Sequence, residues 1–260
     1  ALPISAKANS NLALFKIIRE EGLQVDAMSP GEIYVNLQAG FPPDRILYIC
    51  NNVSGEEMKF AIERGVKVSI DSVSQLKLYG QLNPGGDVVL RFNAGIGAGH
   101  SDKVKTAGKN TKFGIDPALI DDVFSVLKAC RLKVTGINQH IGSLFLEGTP
   151  FIEGSKSLLA IAERFEDLDF VDLGGGFGVP YNEKEGEKPL DLQSLGNKLD
   201  QVMHDFVKQY GKEVSFKIEP GRYIAAECGV LLGTVHAIKV NYGKKYIGTA
   251  LGFNVLSRPV

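Results

Sequence analysis

Tryptophan is absent from this chain, and only three cysteines, three methionines and four histidines occur in its 260 residues. Cys50, Cys130 and Cys228 are far apart and odd in number, which excludes a disulfide framework and fits a reducing, cytoplasmic compartment. Each reads as a small buried hydrophobe. No His/Cys spacing suits zinc, so no metal is expected. No apolar run is long enough to span a bilayer, and the first residues lack a secretory-signal pattern. Neither sign of charge dominates: 29 Lys and Arg face 30 Asp and Glu, for a net charge of −1. That balance excludes nucleic acid and anionic membrane as the main partners. The chain also lacks an initiating methionine and enters a strand pattern almost at once, so it is expected to be truncated at its start.

What is present is an ordinary globular composition, 44% hydrophobic and 23% charged, enough for a sizeable core. Short apolar runs are predicted as strands at residues 2–5, 23–28, 45–50, 66–70, 87–92, 132–140, 170–173 and 214–219. Amphipathic patterns between them predict helices at 11–22, 29–40, 54–65, from Asp71 or Ser72 onward, at 116–130, 149–165 and 192–211. Ser54 with Glu57 forms a capping box, and Pro117 suits a first helical turn. A glycine- and lysine-rich loop is expected at 94–112. Strands alternating with helices imply a parallel sheet with crossover helices. Eight such units in this length predict a (β/α)8 barrel, with a doubly wound open sheet as the runner-up. Residues 229–240 and 244–250 are strand-like with no helix between them. They predict the start of a separate β-domain over 226–260, after a barrel over 1–225, with the chain also truncated at its end.

The stretch Phe170-Val-Asp-Leu-Gly-Gly-Gly-Phe-Gly-Val179 is the strongest local signal. FVDL reads as a buried strand that stops at Gly174, Gly175 and Gly176. Three missing Cβ atoms allow close approach and positive φ, and successive N–H groups in such a turn form an anion-binding concavity. It is not the dinucleotide fingerprint, because Val179 stands where a glycine or alanine belongs. An isolated triple glycine reads equally well as a tight strand-to-loop turn.

The active site of such a barrel forms at the C-terminal ends of its strands. Those ends carry Lys7, Asp26 with Ser29, Asn51, Asp71, Arg91 with Asn93, His140 with Ser143, Gly174 to Gly176, and Glu219 with Arg222. A partly desolvated Lys7 would be an imine-forming nucleophile. The glycines with Arg222 would hold a phosphate, Glu219 would pair with a ring nitrogen, and His140 would stack on an aromatic ring. Pyridoxal 5′-phosphate requires this set. Taken singly, each residue also has a plain reading: a solvated lysine, a hydrogen-bonded rim histidine, and a surface Glu219–Arg222 ion pair of little worth. His100, His204 and His236 are assigned no role.

The motifs KANSN (7–11), DAMS (26–29), TKFGID (111–116), HIGS (140–143), DLGGGFGVPY (172–181) and EPGR (219–222) extend the pattern over essentially the whole chain. In this order they resemble the pyridoxal-phosphate decarboxylases of the alanine-racemase-like barrel class, fold type III. Within that class they are most similar to the diaminopimelate decarboxylase family. The resemblance implies α-decarboxylation of a small amino-acid substrate, meso-2,6-diaminopimelate to L-lysine, by a homodimer with shared active sites. It implies that Lys7 carries the cofactor, Asp26 lies near the Lys7 nitrogen and His140 stacks on the ring. Ser143, Gly174, Gly175, Gly176, Gly221 and Arg222 would hold the phosphate, and Glu219 would face the ring nitrogen. Arg222 and Arg258 would reach a substrate carboxylate.

The family's C-terminal domain contributes a Cys-Glu pair and a tyrosine to the partner's site, which this chain lacks, and Ala250 stands where aspartate is usual. The alternatives are sister decarboxylases for ornithine, lysine, arginine or carboxynorspermidine, a racemase on the same barrel, a non-catalytic cofactor-binding or regulatory homologue, and a phosphate-binding barrel without the cofactor.

Overall fold

The computed structural model describes residues 3–49, 51–99, 107–108, 110–252 and 254–255. Eight parallel strands form one sheet: β1 (Pro3–Ser5), β2 (Gln24–Ala27), β3 (Ile46–Ile49), β4 (Lys67–Ile70), β5 (Asp87–Arg91), β7 (Lys133–Asn138), β9 (Phe170–Gly175) and β10 (Ser215–Glu219). Between them in sequence come two-residue strands, β6 (Ala98–Gly99) and β8 (Gly142–Ser143), which pair with each other in parallel outside the main sheet. Each main strand pairs with the next in sequence, and β10 returns beside β1 to close the barrel. The helices are α1 (Leu12–Glu20), α2 (Pro30–Gln38), α3 (Gly55–Ile62), α4 (Val73–Leu82), α5 (Ile120–Cys130), α6 (Thr149–Ala162), α7 (Leu192–Tyr210) and α8 (Gly221–Ala225). One helix follows each strand of the barrel; the sequence predicts the first seven, while α8 after β10 was not expected.

Local chemistry explains where the helices begin. Asn11, Ser29, Ser54, Ser72 and Asp191 each accept a backbone N–H of the first turn of the helix that follows, which satisfies donors that lack an intrahelical partner. Ser54 and Glu57 form the full capping box, and Ser72 rather than Asp71 caps α4. Pro117 lies in a 3-10 turn ahead of α5.

Strand alternation divides the core in two. Outward residues such as Val25, Tyr48, Val68, Leu90, Ile137, Val171 and Leu173 pack under the helices in one large cluster. Inward residues Leu47, Ile49, Val89 and Phe170 form a small apolar plug inside the barrel. Each fully buried side chain of this kind contributes about 1.5–3 kcal/mol.

Several expectations are corrected. The FVDL strand does not stop at the glycines but runs through Gly174 and Gly175. Cys228 is exposed and Cys130 only half-buried, because each sits at or beyond the end of a helix; Cys50 lies outside the described residues. The short pair β6–β8 was not expected at all. Beyond α8 the chain forms an antiparallel hairpin, β11 (Val235–Asn241) with β12 (Lys244–Thr249). Residues 229–234, expected to be strand, are not. Every residue of β11 and β12 is exposed. Among the described residues, no helix is long and apolar enough to cross a membrane.

Candidate active site

A cavity of about 580 Å³ opens at the C-terminal ends of the barrel strands and is lined by Lys7, Asp26, His140, Ser143, Glu219 and Arg222 among others. The parallel strands all end at this rim, and every one except β4 contributes a lining residue at or just past its end. Asn51 and Asp71 stay outside the lining and hydrogen-bond each other. Burial raises Asp71 above the ordinary carboxylate range, against the pull of Asn51 and Arg91.

Lys7 lies on a 3-10 turn, Ala6–Ala8, that continues β1. The turn is held by Asp26, whose Oδ1 accepts the Ala6 N–H at 3.0 Å. Asp26 itself is 1% exposed. Lys7 is the one lysine among the lining residues. It is exposed, so the partial desolvation expected of it is not found: the turn lifts the side chain past the end of the strand. Arg91, 5% exposed, has its charge among Glu219, Asp71, Asp26 and Asp172. The Arg91 guanidinium faces the Phe113 ring at 5.1 Å.

His140 follows β7, and its Nδ1 accepts the Gly175 N–H at 3.3 Å, which places the ring proton of a neutral imidazole on Nε2. Burial, then the positive charges of Lys7 and Arg91, hold its pKa down at about 3. Its 3.7 Å approach to Glu219 Oε2 is therefore not an ion pair at neutral pH. Glu219, at the end of β10, is 6% exposed. Burial and the neighbouring Asp26 push its pKa up to about 7.

The three glycines are closely packed. A Cβ on Gly174 would lie 2.3 Å from the Gln139 carbonyl oxygen, one on Gly175 2.0 Å from that of Glu219, and one on Gly176 2.3 Å from that of Gly142. Their missing side chains make room for neighbouring backbone. The N–H of Gly174 donates to Asp172 Oδ1 and that of Gly175 to His140. Of the three, only Gly176 is among the residues that line the cavity. Gly221, which lines the cavity, is also closely packed: a Cβ there would lie 2.9 Å from that of Ser5.

At the cavity rim Arg222 donates to Tyr181 Oη at 3.1 Å and Ser143 Oγ at 3.4 Å. Both acceptors are neutral, and among the described residues no carboxylate pairs with this guanidinium within 4.0 Å. The Glu219–Arg222 ion pair is accordingly not formed. A rim arginine held by hydroxyls, beside a cavity with one lysine, suits a bound anion next to a carbonyl-reactive amine. Arg258 and His100 lie outside the described residues, and no metal-ligand cluster occurs among those described.

The family model for "Pyridoxal-dependent decarboxylase, pyridoxal binding domain" matches residues 3–226. The chain belongs to the pyridoxal-dependent decarboxylase family. Its cofactor is pyridoxal phosphate. The chain is 40% identical to the diaminopimelate decarboxylase of Methanothermobacter thermautotrophicus, over 98% of this chain and 60% of that protein. Among solved structures it resembles a diaminopimelate decarboxylase with a TM-score of 0.92 and 31% identity, covering 100% of this chain and 62% of the other. It also resembles the Helicobacter pylori diaminopimelate decarboxylase solved with L-lysine, with a TM-score of 0.88 and 28% identity, covering 97% and 64%. The chain thus spans about 60% of the length of the curated relatives it matches. The fold is the type III barrel expected from the sequence motifs.

Several residues of this pyridoxal-binding barrel escaped the sequence reading. Phe113 and Tyr181, both lining the cavity, sit inside quoted motifs but were given no role of their own. Asp172 is fully buried. Its signal was available: an acid inside a four-residue apolar strand is costly unless partnered.

Proposed function

We propose that this chain forms the cofactor-binding barrel of a decarboxylase that converts meso-2,6-diaminopimelate to L-lysine and CO2. The observation that carries this reading is the convergence of Lys7, His140, Glu219 and Arg222 on one cavity at the strand ends. The printed names of the relatives support the choice of substrate. Lys7 would hold the cofactor through its Nζ, with Ser143, Gly176, Gly221 and Arg222 around the phosphate. Gly174 and Gly175 would support that wall from behind.

Bound pyridoxal phosphate supplies the electron sink for the pair released when the Cα–carboxylate bond breaks. The residues of this chain prepare that step. Glu219 holds a proton at the ring nitrogen. Neutral His140 presents a flat, uncharged face to the ring, fixed by its bond from Gly175. Asp26 orients the turn that carries Lys7. Phe113 and Met28 line the cavity and exclude water from part of it. Arg222 also lies where a substrate carboxylate could reach it, with Arg258 assigned to the same task by resemblance. A cytoplasmic homodimer, with its partner completing each site, belongs to the same proposal, as does a division into barrel and β-domain near residues 225 and 226.

The test uses the full-length protein with added pyridoxal phosphate. Borohydride reduction is expected to fix the cofactor covalently on the peptide containing Lys7, and Lys7→Ala to abolish the adduct. CO2 release should then occur from meso-diaminopimelate in preference to ornithine, lysine or arginine. An adduct on another lysine overturns the Lys7 assignment. Preference for another amino acid overturns the substrate.

A further inference from the structure

The barrel interior holds more acid than base. Asp26, Asp71, Asp172 and Glu219 are 1%, 8%, 0% and 6% exposed, while the buried cations are Arg91 at 5% and Lys217 at 7%. Two of the acids are neighbours. β9 and β10 run parallel, with Lys217 beside Asp172 and Glu219 beside Gly175. Val171 and Leu173 on β9, and Phe216 and Ile218 on β10, face the helices. By strand alternation Phe170, Asp172, Lys217 and Glu219 therefore face the barrel axis. Lys217 Nζ lies 3.7 Å above the Phe170 ring, as that orientation requires.

The four oxygens of this pair divide evenly. Asp172 Oδ1 accepts the Gly174 N–H at 3.0 Å, and Glu219 Oε2 lies 3.7 Å from the His140 ring. Asp172 Oδ2 and Glu219 Oε1 are buried acceptors with no donor among the described residues. Both side chains point to the barrel axis from paired strands, each with one such oxygen. Two ionised carboxylates cannot satisfy these oxygens, since neither has a proton to donate. One proton between them satisfies both.

We propose that Asp172 is a positioning residue for Glu219, donating one shared proton to Glu219 so that Glu219 keeps its charge toward the cavity. The inference rests on the assignment of Glu219 to the cofactor ring nitrogen. Asp172 is the natural holder of the proton. Burial and the charge of Glu219 raise it well above the ordinary range. The bond from Asp172 in turn favours the ionised form of Glu219, as do Lys7 and Arg91, against burial and Asp26. Below the pair, Lys217 adds its charge. Burial, opposed by Asp172, lowers its pKa to about 8, and the charge of Lys67 acts in the same direction. The groups around the pair are thus Lys7, Asp26, Lys67, Arg91, His140 and Lys217.

Two measurements on the full-length chain test this. In the cofactor-free protein at neutral pH, the infrared difference between wild type and Asp172→Asn should contain a protonated-carboxyl C=O band. Its absence overturns the shared proton, whatever the cofactor does. Then the affinity for pyridoxal phosphate is titrated against pH. Asp172→Val, which removes the donor, should weaken binding roughly 10-fold at neutral pH and move the pH dependence of binding upward. Asp172→Asn, whose amide still donates, should recover most of the loss. If both variants fold with wild-type melting temperatures and show the wild-type pH profile, Asp172 does not position Glu219. If the wild type itself fails to bind pyridoxal phosphate, the cofactor reading falls, while the infrared result still decides the proton.

Discussion

Substitution of Gly175 by alanine tests whether the glycines are packing elements or a ligand cradle. Gly175 is not among the glycines with positive φ, so alanine suffers no backbone penalty there. The whole effect is steric. Its Cβ would lie 2.0 Å from the Glu219 carbonyl oxygen and 2.9 Å from the carbonyl carbon, whereas ordinary contact begins at 3.4 Å. Backbone cannot rotate aside as a side chain can, so the end of β10 must move, and Glu219 with it. Overpacking of this kind costs about 1–3 kcal/mol, and a domain of this size loses roughly 2–4 °C of melting temperature for each kcal/mol. Gly196 is the internal control: it sits on the exposed face of α7, and a Cβ added there would meet nothing within 4 Å. Gly196→Ala should stabilise by about 0.5–1 kcal/mol through helix propensity alone. Differential scanning calorimetry separates the two, and pyridoxal phosphate titration should show weaker binding only for Gly175→Ala. A Gly175→Ala protein that melts with the wild type would refute the packing argument.

Two further outcomes follow from the geometry. His140 has an ordinary pKa of 6.5 when unfolded and about 3 when folded. As pH falls through that window the unfolded state takes up a proton that the folded state refuses, so stability is lost, by at most about 1.4 kcal/mol per pH unit. Urea unfolding at several pH values should show a flatter acid limb in His140→Gln than in the wild type, and an unchanged slope would show that His140 is not held neutral. Asn93 accepts from the N–H groups of Gly95 and Gly108 and donates to Gly108 O and Thr111 Oγ1. Asn93→Ala should cost about 1–3 kcal/mol and speed proteolytic cleavage between residues 94 and 112. Equal cleavage rates would remove Asn93 as the organiser of that segment.

Much of this molecule is legible along the chain. Period-2 runs such as VKVSI and capped amphipathic runs such as SGEEMKFAIERG place strands and helices, because those patterns act through nearest neighbours. The alternation of the two then leaves few topologies besides a parallel barrel, and the strand ends of a barrel must carry its site. The motifs around Lys7, His140 and Glu219 were readable for the same reason: each lies at or just past the end of a recognisable strand.

Closure of the barrel decided the rest. Whether Gly174 and Gly175 face a ligand or a neighbouring carbonyl depends on where Gln139 and Glu219 pass, and both are distant in sequence. The neutral state of His140 arises from burial among Lys7 and Arg91, which come from other strands. Asp172 and Glu219 come onto paired strands only because β9 and β10 lie side by side, with a register shift between Lys217 and Glu219. The sequence by itself determined the elements and the chemistry on offer. Tertiary structure decided which groups lose their water and which charges face each other, since desolvation and Coulomb interaction depend on distance in space and not along the chain.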